Sequence, residues 1–210
     1  MMDIIDFHTH DLEASRALIS VDPQQFDPQP GKWYSVGYHP WQDVASLTDD
    51  DFDLLGDCAR HAQVLAIGET GMDALRGCGL DIQAQVMERH LRLAADLNKP
   101  AIIHCVRTAQ NILAVRRKAG LTAVPMVIHG FRGNEHVAQT LLKAGCYLSY
   151  GPRFNPAALQ ATPTHRLLIE SDDSSTPISE VASLVADVLG ISPQEVESIA
   201  ADNASTLLQH

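Results

Sequence analysis

Cysteine is sparse and scattered in this 210-residue chain: Cys58, Cys78, Cys105 and Cys146 form no Cys-x-x-Cys pair. That pattern speaks for reduced thiols, mostly small core residues, in a cytosolic protein rather than a disulfide framework. No apolar run approaches the roughly 18 residues that a membrane span needs. The opening Met-Met-Asp-Ile-Ile-Asp carries acid where a signal peptide carries base. A cytoplasmic protein without a membrane span is therefore expected. Positive charge is short as well, with 15 Lys and Arg against 26 Asp and Glu and a formal net charge of −11. A protein that grips long nucleic acid by its backbone usually shows a basic face, which argues against a wide duplex footprint. A phosphate-bearing substrate is not, because bound metal ions supply local positive charge. A Gly-x-Gly-x-x-Gly turn and a P-loop are both missing, which counts against a nucleotide-binding sheet. There is no internal repeat, linker or low-complexity tract. The hydrophobic fraction of 45% and the length suit one sizeable domain over residues 1–210.

What the chain has in quantity is histidine, ten in all. The first two stand one residue apart at the end of an apolar run, Ile4-Ile5-Asp6-Phe7-His8-Thr9-His10. Side chains two apart on a strand share a face, which aligns Asp6, His8 and His10. Two imidazoles at the end of a buried strand are costly unless something binds them, and a metal ion is the common partner.

Short apolar runs alternate with helical patterns along the whole chain. The candidate strands are 3–8, 16–21, 34–37, 64–68, 101–104, 126–129, 146–149 and 167–170. Helices follow Thr48 (with Phe52, Leu55, Ala59 and Ala62 on one face), run from about Asp81 to Leu97 (Ile82, Val86, Leu93, Leu97), and lead from Thr108 to Gly120 and from Asn134 to Gly145. Pro177 and Pro193 sit in the first turns of two C-terminal helices. Only residues 11–15 separate the first two strands, and residues 22–32 hold Pro23, Pro28 and Pro30, so neither connection makes a regular helix. The sum is an α/β fold, a (β/α)8 TIM-type barrel trimmed of its first two crossover helices. An open doubly wound sheet is the alternative. The flank left without helices is covered by a partner subunit or by the proline-rich segment itself, so monomer and homodimer both stay open.

The polar residues fall at the carboxyl ends of these strands. His8 and His10 end the first, Glu69 the fourth, His104 the fifth, His129 the sixth and Asp172 the eighth. In such a barrel those ends converge on one face, and so dense a cluster of imidazole and carboxylate calls for cations. Six ligands suit two divalent ions better than one. His8, His10 and Asp172 are assigned to one ion, His104 and His129 to the other, and Glu69 to both, with a bridging water as nucleophile and Asp172 as its proton acceptor. Asp173 is the alternative to Asp172; register favours Asp172. His39 either contacts substrate or caps the loop before Pro40, and Asp73 either holds a ligand's second nitrogen or starts the next loop. Arg107, Arg132 and Arg153 follow strands five, six and seven and can grip a phosphate by forked hydrogen bonds, though loop arginines are also commonly just solvated. His61, His90, His136, His165 and His210 are read as solvated, and Cys105 and Cys146 as packing residues.

These blocks resemble the TatD family of metal-dependent deoxyribonucleases, within the amidohydrolase-like barrels. They are Asp6-Phe7-His8-Thr9-His10, Gly37-Tyr38-His39-Pro40, Ile67-Gly68-Glu69-Thr70-Gly71-Met72-Asp73, Ile102-Ile103-His104, Ile128-His129-Gly130-Phe131-Arg132-Gly133 and Glu170-Ser171-Asp172, with a weaker echo over 203–208. The resemblance implies a barrel, a two-metal centre and phosphodiester hydrolysis, and carries the ligand roles onto His8, His10, Glu69, His104, His129 and Asp172. Three departures bear on substrate identity. Arg107 comes three residues after His104, where the family usually has its arginine two after. Asp172-Asp173-Ser174 lacks the family's proline, and the early helices are shorter. The expected substrate is DNA, as single strands or short fragments. The alternatives are an amide, lactone or other small-molecule hydrolase on the same two metals and a non-enzymatic metal-binding remnant. Imidazole-rich ligation leans to zinc, manganese or iron, and the resemblance also permits magnesium.

Overall fold

Val64-Leu65-Ala66-Ile67 and Ala101-Ile102-Ile103 are near-continuous apolar runs, the composition of parallel strands covered on both faces. In a computed structural model of the chain, which describes residues 3–209, both are strands. The full set is β1 (Asp6–Thr9), β2 (Ala17–Val21), β3 (Trp33–Val36), β4 (Val64–Asp73), β5 (Ala101–Val106), β6 (Met126–Ile128), β7 (Tyr147–Tyr150) and β8 (Leu167–Ile169). They follow one another in sequence order around a closed barrel of parallel strands. The barrel expected from the alternation is the fold observed.

The helices are α1 (Asp49–Ala59), α2 (Leu80–Asp96), α3 (Ala109–Lys118), α4 (Glu135–Lys143), α5 (Pro156–Gln160), α6 (Ile178–Leu189) and α7 (Pro193–Leu208). None is long and apolar enough to cross a membrane. Contacts group the described chain into two units, residues 3–19 with 127–209, and Ser20–Met126.

In the unit Ser20–Met126, α1 opens on a capping box in which the Thr48 side chain accepts from the Asp51 amide and the Asp51 carboxylate accepts from the Thr48 amide. At its far end the half-buried Lys99 ammonium donates to the carbonyls of Ala59 and Val64, and burial pushes its pKa down. The proline-rich stretch contains a single 3₁₀ turn, Pro23–Gln25, capped by Asp22. It packs on its own unit: Phe26 lies 5.4 Å from Tyr34 and 5.5 Å from His61, and Gln63 donates to the Gln29 and Lys32 carbonyls at 2.6 and 2.8 Å.

β4 outruns its expected end at Gly68 by five residues, pairing with β5 as far as Asp73↔Val106. Gly71 explains the extension, because a Cβ there would collide with the His104 carbonyl and only a bare backbone fits so close. The buried face of α2 also differs from the expected stripe. Ile82 is exposed, and Gln83, Val86, Met87, His90, Leu91 and Ala94 are inside. His90, expected to be solvated, is fully buried. The expectation failed because position 90 lies four residues after Val86 and so falls on the same helix face.

In the unit of residues 3–19 and 127–209, Pro193 opens α7 behind Ser192, which accepts from the Glu195 amide at 3.2 Å. Pro177 is the cap of α6 rather than a first-turn residue, so that helix starts at Ile178. Asn203, in the C-terminal echo, donates from α7 to the Thr164 and Leu167 carbonyls at 2.6 and 2.7 Å, fixing the entry to β8. The short α5, capped by Asn155 with Pro156 in its first turn, was not foreseen. His210 lies outside the described residues.

Candidate metal centre

β1 and β8 are neighbours in the sheet, with Asp6 opposite Ile169. Past the end of β8 the Asp172 amide donates to the His8 carbonyl at 2.9 Å, and the His10 amide donates to the Asp172 carbonyl at 3.3 Å. Asp172 adopts φ +55°, an uncommon conformation for a residue with a side chain. This turn sets Asp172 Oδ1 3.6 Å from His8 Nε2 and 3.8 Å from His10 Nε2. His8 is fully buried and His10 is half exposed. The His129 ring lies 4.3 Å from that of His8, and its Nδ1 stands 3.3 Å from Glu170 Oε1, which also accepts from the Gly130 amide at 2.6 Å. Burial pushes the Glu170 carboxyl up, but the imidazoles of His129 and His8 outweigh it, so its pKa is lowered. The ligand atoms of His8, His10 and Asp172 lie within 4.8 Å of one another, as do those of His129, Glu170 and Asp172.

A second group forms along the carboxyl-terminal halves of β4 and β5. Glu69 Oε1 is 2.8 Å from His104 Nδ1 and 2.9 Å from His39 Nε2, and Glu69 is 4% exposed. His104 turns its other nitrogen, Nε2, toward Asp73 Oδ2 at 3.3 Å. Asp73 in turn accepts from the Trp41 indole at 2.7 Å and from the Leu75 amide at 2.7 Å. Burial pushes the Asp73 carboxyl up, but these donors win and its pKa is lowered. The ligand atoms of His39, Glu69 and His104 also lie within 4.8 Å of one another. Imidazole and carboxylate at this spacing are the donor set of a divalent-metal site.

The remaining expected residues are placed as follows. Arg107, Arg132 and Arg153 are all exposed, Arg107 at φ +56°. Asp173 is exposed and joins none of these groups. Asp73 is within reach of a ligand's second nitrogen, and His39 faces Glu69. Four residues of the site's surroundings carried no role in the sequence reading: Glu170, Trp41, Gln83 and His90. Glu170 directly follows the apolar run of β8, and that position at a strand end is the one local signal for it. Nothing in the local sequence marks Trp41 or Gln83.

A protein-family model described as TatD related DNase matches residues 24–209. The chain belongs to that family. It is a metal-dependent hydrolase of the TatD type. Among relatives, this TatD chain is 29% identical over 196 residues to the "Uncharacterized metal-dependent hydrolase YabD" of Bacillus subtilis, covering 83% of this chain and 76% of that one. It is 33% identical over 153 residues to the "3'-5' ssDNA/RNA exonuclease TatD" of Cronobacter sakazakii, covering 68% and 57%. The crystal structure of YJJV, a TatD homolog from Escherichia coli K12, matches the fold with a TM-score of 0.84 at 19% identity, over 100% of this chain and 99% of that one.

Proposed function

We propose that this TatD-type hydrolase cleaves phosphodiester bonds in single-stranded or short nucleic acid, using two divalent ions. The supporting observation is the grouping of ligand atoms within 4.8 Å in the set His8, His10, Asp172 and in the set His39, Glu69, His104. All but His39 are among the ligands expected from the ends of barrel strands. In the proposed centre His8, His10 and Asp172 would hold one ion and His104 and His129 the other, with Glu69 contributing to both. Such ions supply Lewis acidity toward a phosphoryl oxygen and lower the pKa of water toward neutrality. Asp73 keeps a proton on His104 Nε2, which leaves Nδ1 as the donor atom. Glu170 does the corresponding work for His129. Asp172 takes the proton of the attacking water, the phosphorus–oxygen bond to the leaving alkoxide breaks as the new one forms, and the proton passes on to that alkoxide. Arg107, Arg132 and Arg153 are the candidate phosphate contacts in a chain of net charge −11. Relatives named as a 3'-5' ssDNA/RNA exonuclease and as a 3'-5' RNA nuclease support this substrate class. The scattered cysteines support a reducing, cytoplasmic setting, and the self-covered proline-rich segment supports a monomer.

The test is metal analysis of purified protein followed by turnover of a nitrophenyl phosphodiester, a nitrophenyl carboxylic ester and a single-stranded oligonucleotide. Phosphodiester and oligonucleotide hydrolysis dependent on added metal is the expected result. Turnover of the carboxylic ester alone moves the assignment to the small-molecule reading.

A further inference from the structure

Among the described residues, Trp41 is the one large aromatic of the exposed hydrophobic side chains, 47% exposed. Its ring centroid nonetheless lies 4.8 Å from that of His39 and 5.2 Å from that of His104. Its orientation is fixed from below by the bond from the indole N–H to Asp73. From the side, the Arg76 guanidinium carbon stands 4.1 Å from the ring centroid.

The loop that carries Arg76 is built for this position. Gln83, 1% exposed, accepts from the Asp73 amide at 2.7 Å, and its Nε2, with two hydrogens to share, lies 3.2, 3.0 and 2.7 Å from the carbonyls of Asp73, Arg76 and Cys78. Gly77, at φ +82°, rests against the Pro40 carbonyl so closely that a Cβ would collide with it. Pro40 is the residue before Trp41, so the two loops are locked together where Arg76 meets the indole. Leu75 on the same loop is 61% exposed. A buried side chain that braces three carbonyls of one loop under an open, flat surface is more than a solvated cation–π pair requires.

We propose that Trp41, with Arg76 beside it, is a stacking platform for the nucleobase adjoining the scissile phosphate. Indole and guanidinium faces both stack on bases, tolerantly of sequence. Arg76 also brings positive charge to a strongly acidic chain at the point where a phosphate arrives. The proposal rests on the phosphodiester reading and narrows it to substrates that offer an unpaired base.

Two oligonucleotides of equal length test it, one fully based and one with an abasic tetrahydrofuran unit beside the scissile bond. Wild-type protein should show a KM about tenfold lower for the based substrate. Trp41→Ala should erase the difference, whereas Trp41→Phe, which can stack but cannot bond to Asp73, should keep most of it. A second readout needs no turnover. With Trp33→Phe, Trp41 is the only tryptophan of the two in the chain. Thymidine 5′-monophosphate should quench its fluorescence, and ribose 5-phosphate at the same concentration should not. Equal KM values in wild type, or equal effects of the two ligands on fluorescence, overturn the platform while phosphodiester hydrolysis stands. If neither oligonucleotide turns over, the hydrolase reading fails, and the fluorescence comparison alone decides for or against the platform.

Discussion

Ser171 donates to both carboxylate oxygens of Asp6, through its amide to Oδ1 at 2.9 Å and through its hydroxyl to Oδ2 at 2.6 Å. Asp6 stands two residues before His8, and Ser171 immediately precedes Asp172. The pair therefore fixes the spacing between imidazole and carboxylate across β1 and the turn after β8. The Ser171 hydroxyl also lies 2.9 Å from Thr9 Oγ1, which donates to the Asp172 carbonyl. Burial pushes the Asp6 carboxyl up to about 6, against the pull of the two Ser171 donors.

Removing this acceptor strands two donors in a largely buried place. Asp6→Ala should cost about 1–3 kcal/mol in urea unfolding. It should also weaken metal affinity by about 10- to 100-fold, because the ligands lose their outer support. Wild-type values for both stability and metal affinity would remove the latch from the account.

Glu69 presents one oxygen to two imidazoles, at 2.8 Å to His104 and 2.9 Å to His39. If it is shared between ions, Glu69→Ala should abolish phosphodiester turnover and lower the metal content of the purified protein. A variant with wild-type turnover contradicts the shared-carboxylate scheme. A variant inactive but fully metallated would show that Glu69 acts on the substrate rather than on the ions.

Much of this was legible in the chain because strand ends carry their chemistry at fixed offsets. Ile102-Ile103-His104 and Val127-Ile128-His129 are each an apolar run closed by an imidazole, and parallel strands in a closed barrel turn such ends the same way. What escaped depends on contacts between segments distant in sequence. The Trp41 bond to Asp73 spans 32 residues, and the His90 bond to the Tyr38 amide spans 52. No local periodicity records either. Gly71 is a further case: glycine weakens a strand in isolation, yet here it lets β4 lie against the His104 backbone and continue to Asp73. His90 is a different case: the helical repeat places it with Val86 on the buried face, and only its polarity argues for solvent.

The three arginines after β5, β6 and β7 carry a prediction that depends on charge alone. Arg107, Arg132 and Arg153 are exposed and spread over successive loops, so each Arg→Ala change should raise KM for an oligonucleotide without altering thermal stability. A residue that only contacts phosphate should give a KM effect that shrinks as salt rises, because the contact is screened. If all three single variants keep wild-type KM at low salt, phosphate is held elsewhere, and Arg76 becomes the first cation to test.

His90 gives a dependence on pH whose sign follows from its surroundings. Its Nδ1 lies 2.8 Å from the Val86 carbonyl and must donate, so Nε2 is the acceptor of the Tyr38 amide at 3.0 Å. That arrangement requires a neutral ring, and burial pushes the pKa down from 6.5 to about 4, against the Val86 bond. Between those two values the unfolded chain binds a proton that the folded chain refuses. The contribution is therefore complete above about pH 6.5 and is lost as pH falls toward about 4, amounting to about 3 kcal/mol. His90→Gln, which can still accept and donate but does not titrate there, isolates this effect. The stability gap between wild type and variant should narrow by that amount on acidification. A gap independent of pH would mean that the ring is reached by water and charged in the fold. Because Tyr38 directly precedes His39, the same protonation breaks the bond that fixes the backbone before that imidazole, so activity in wild type should fall with acid more steeply than in the variant.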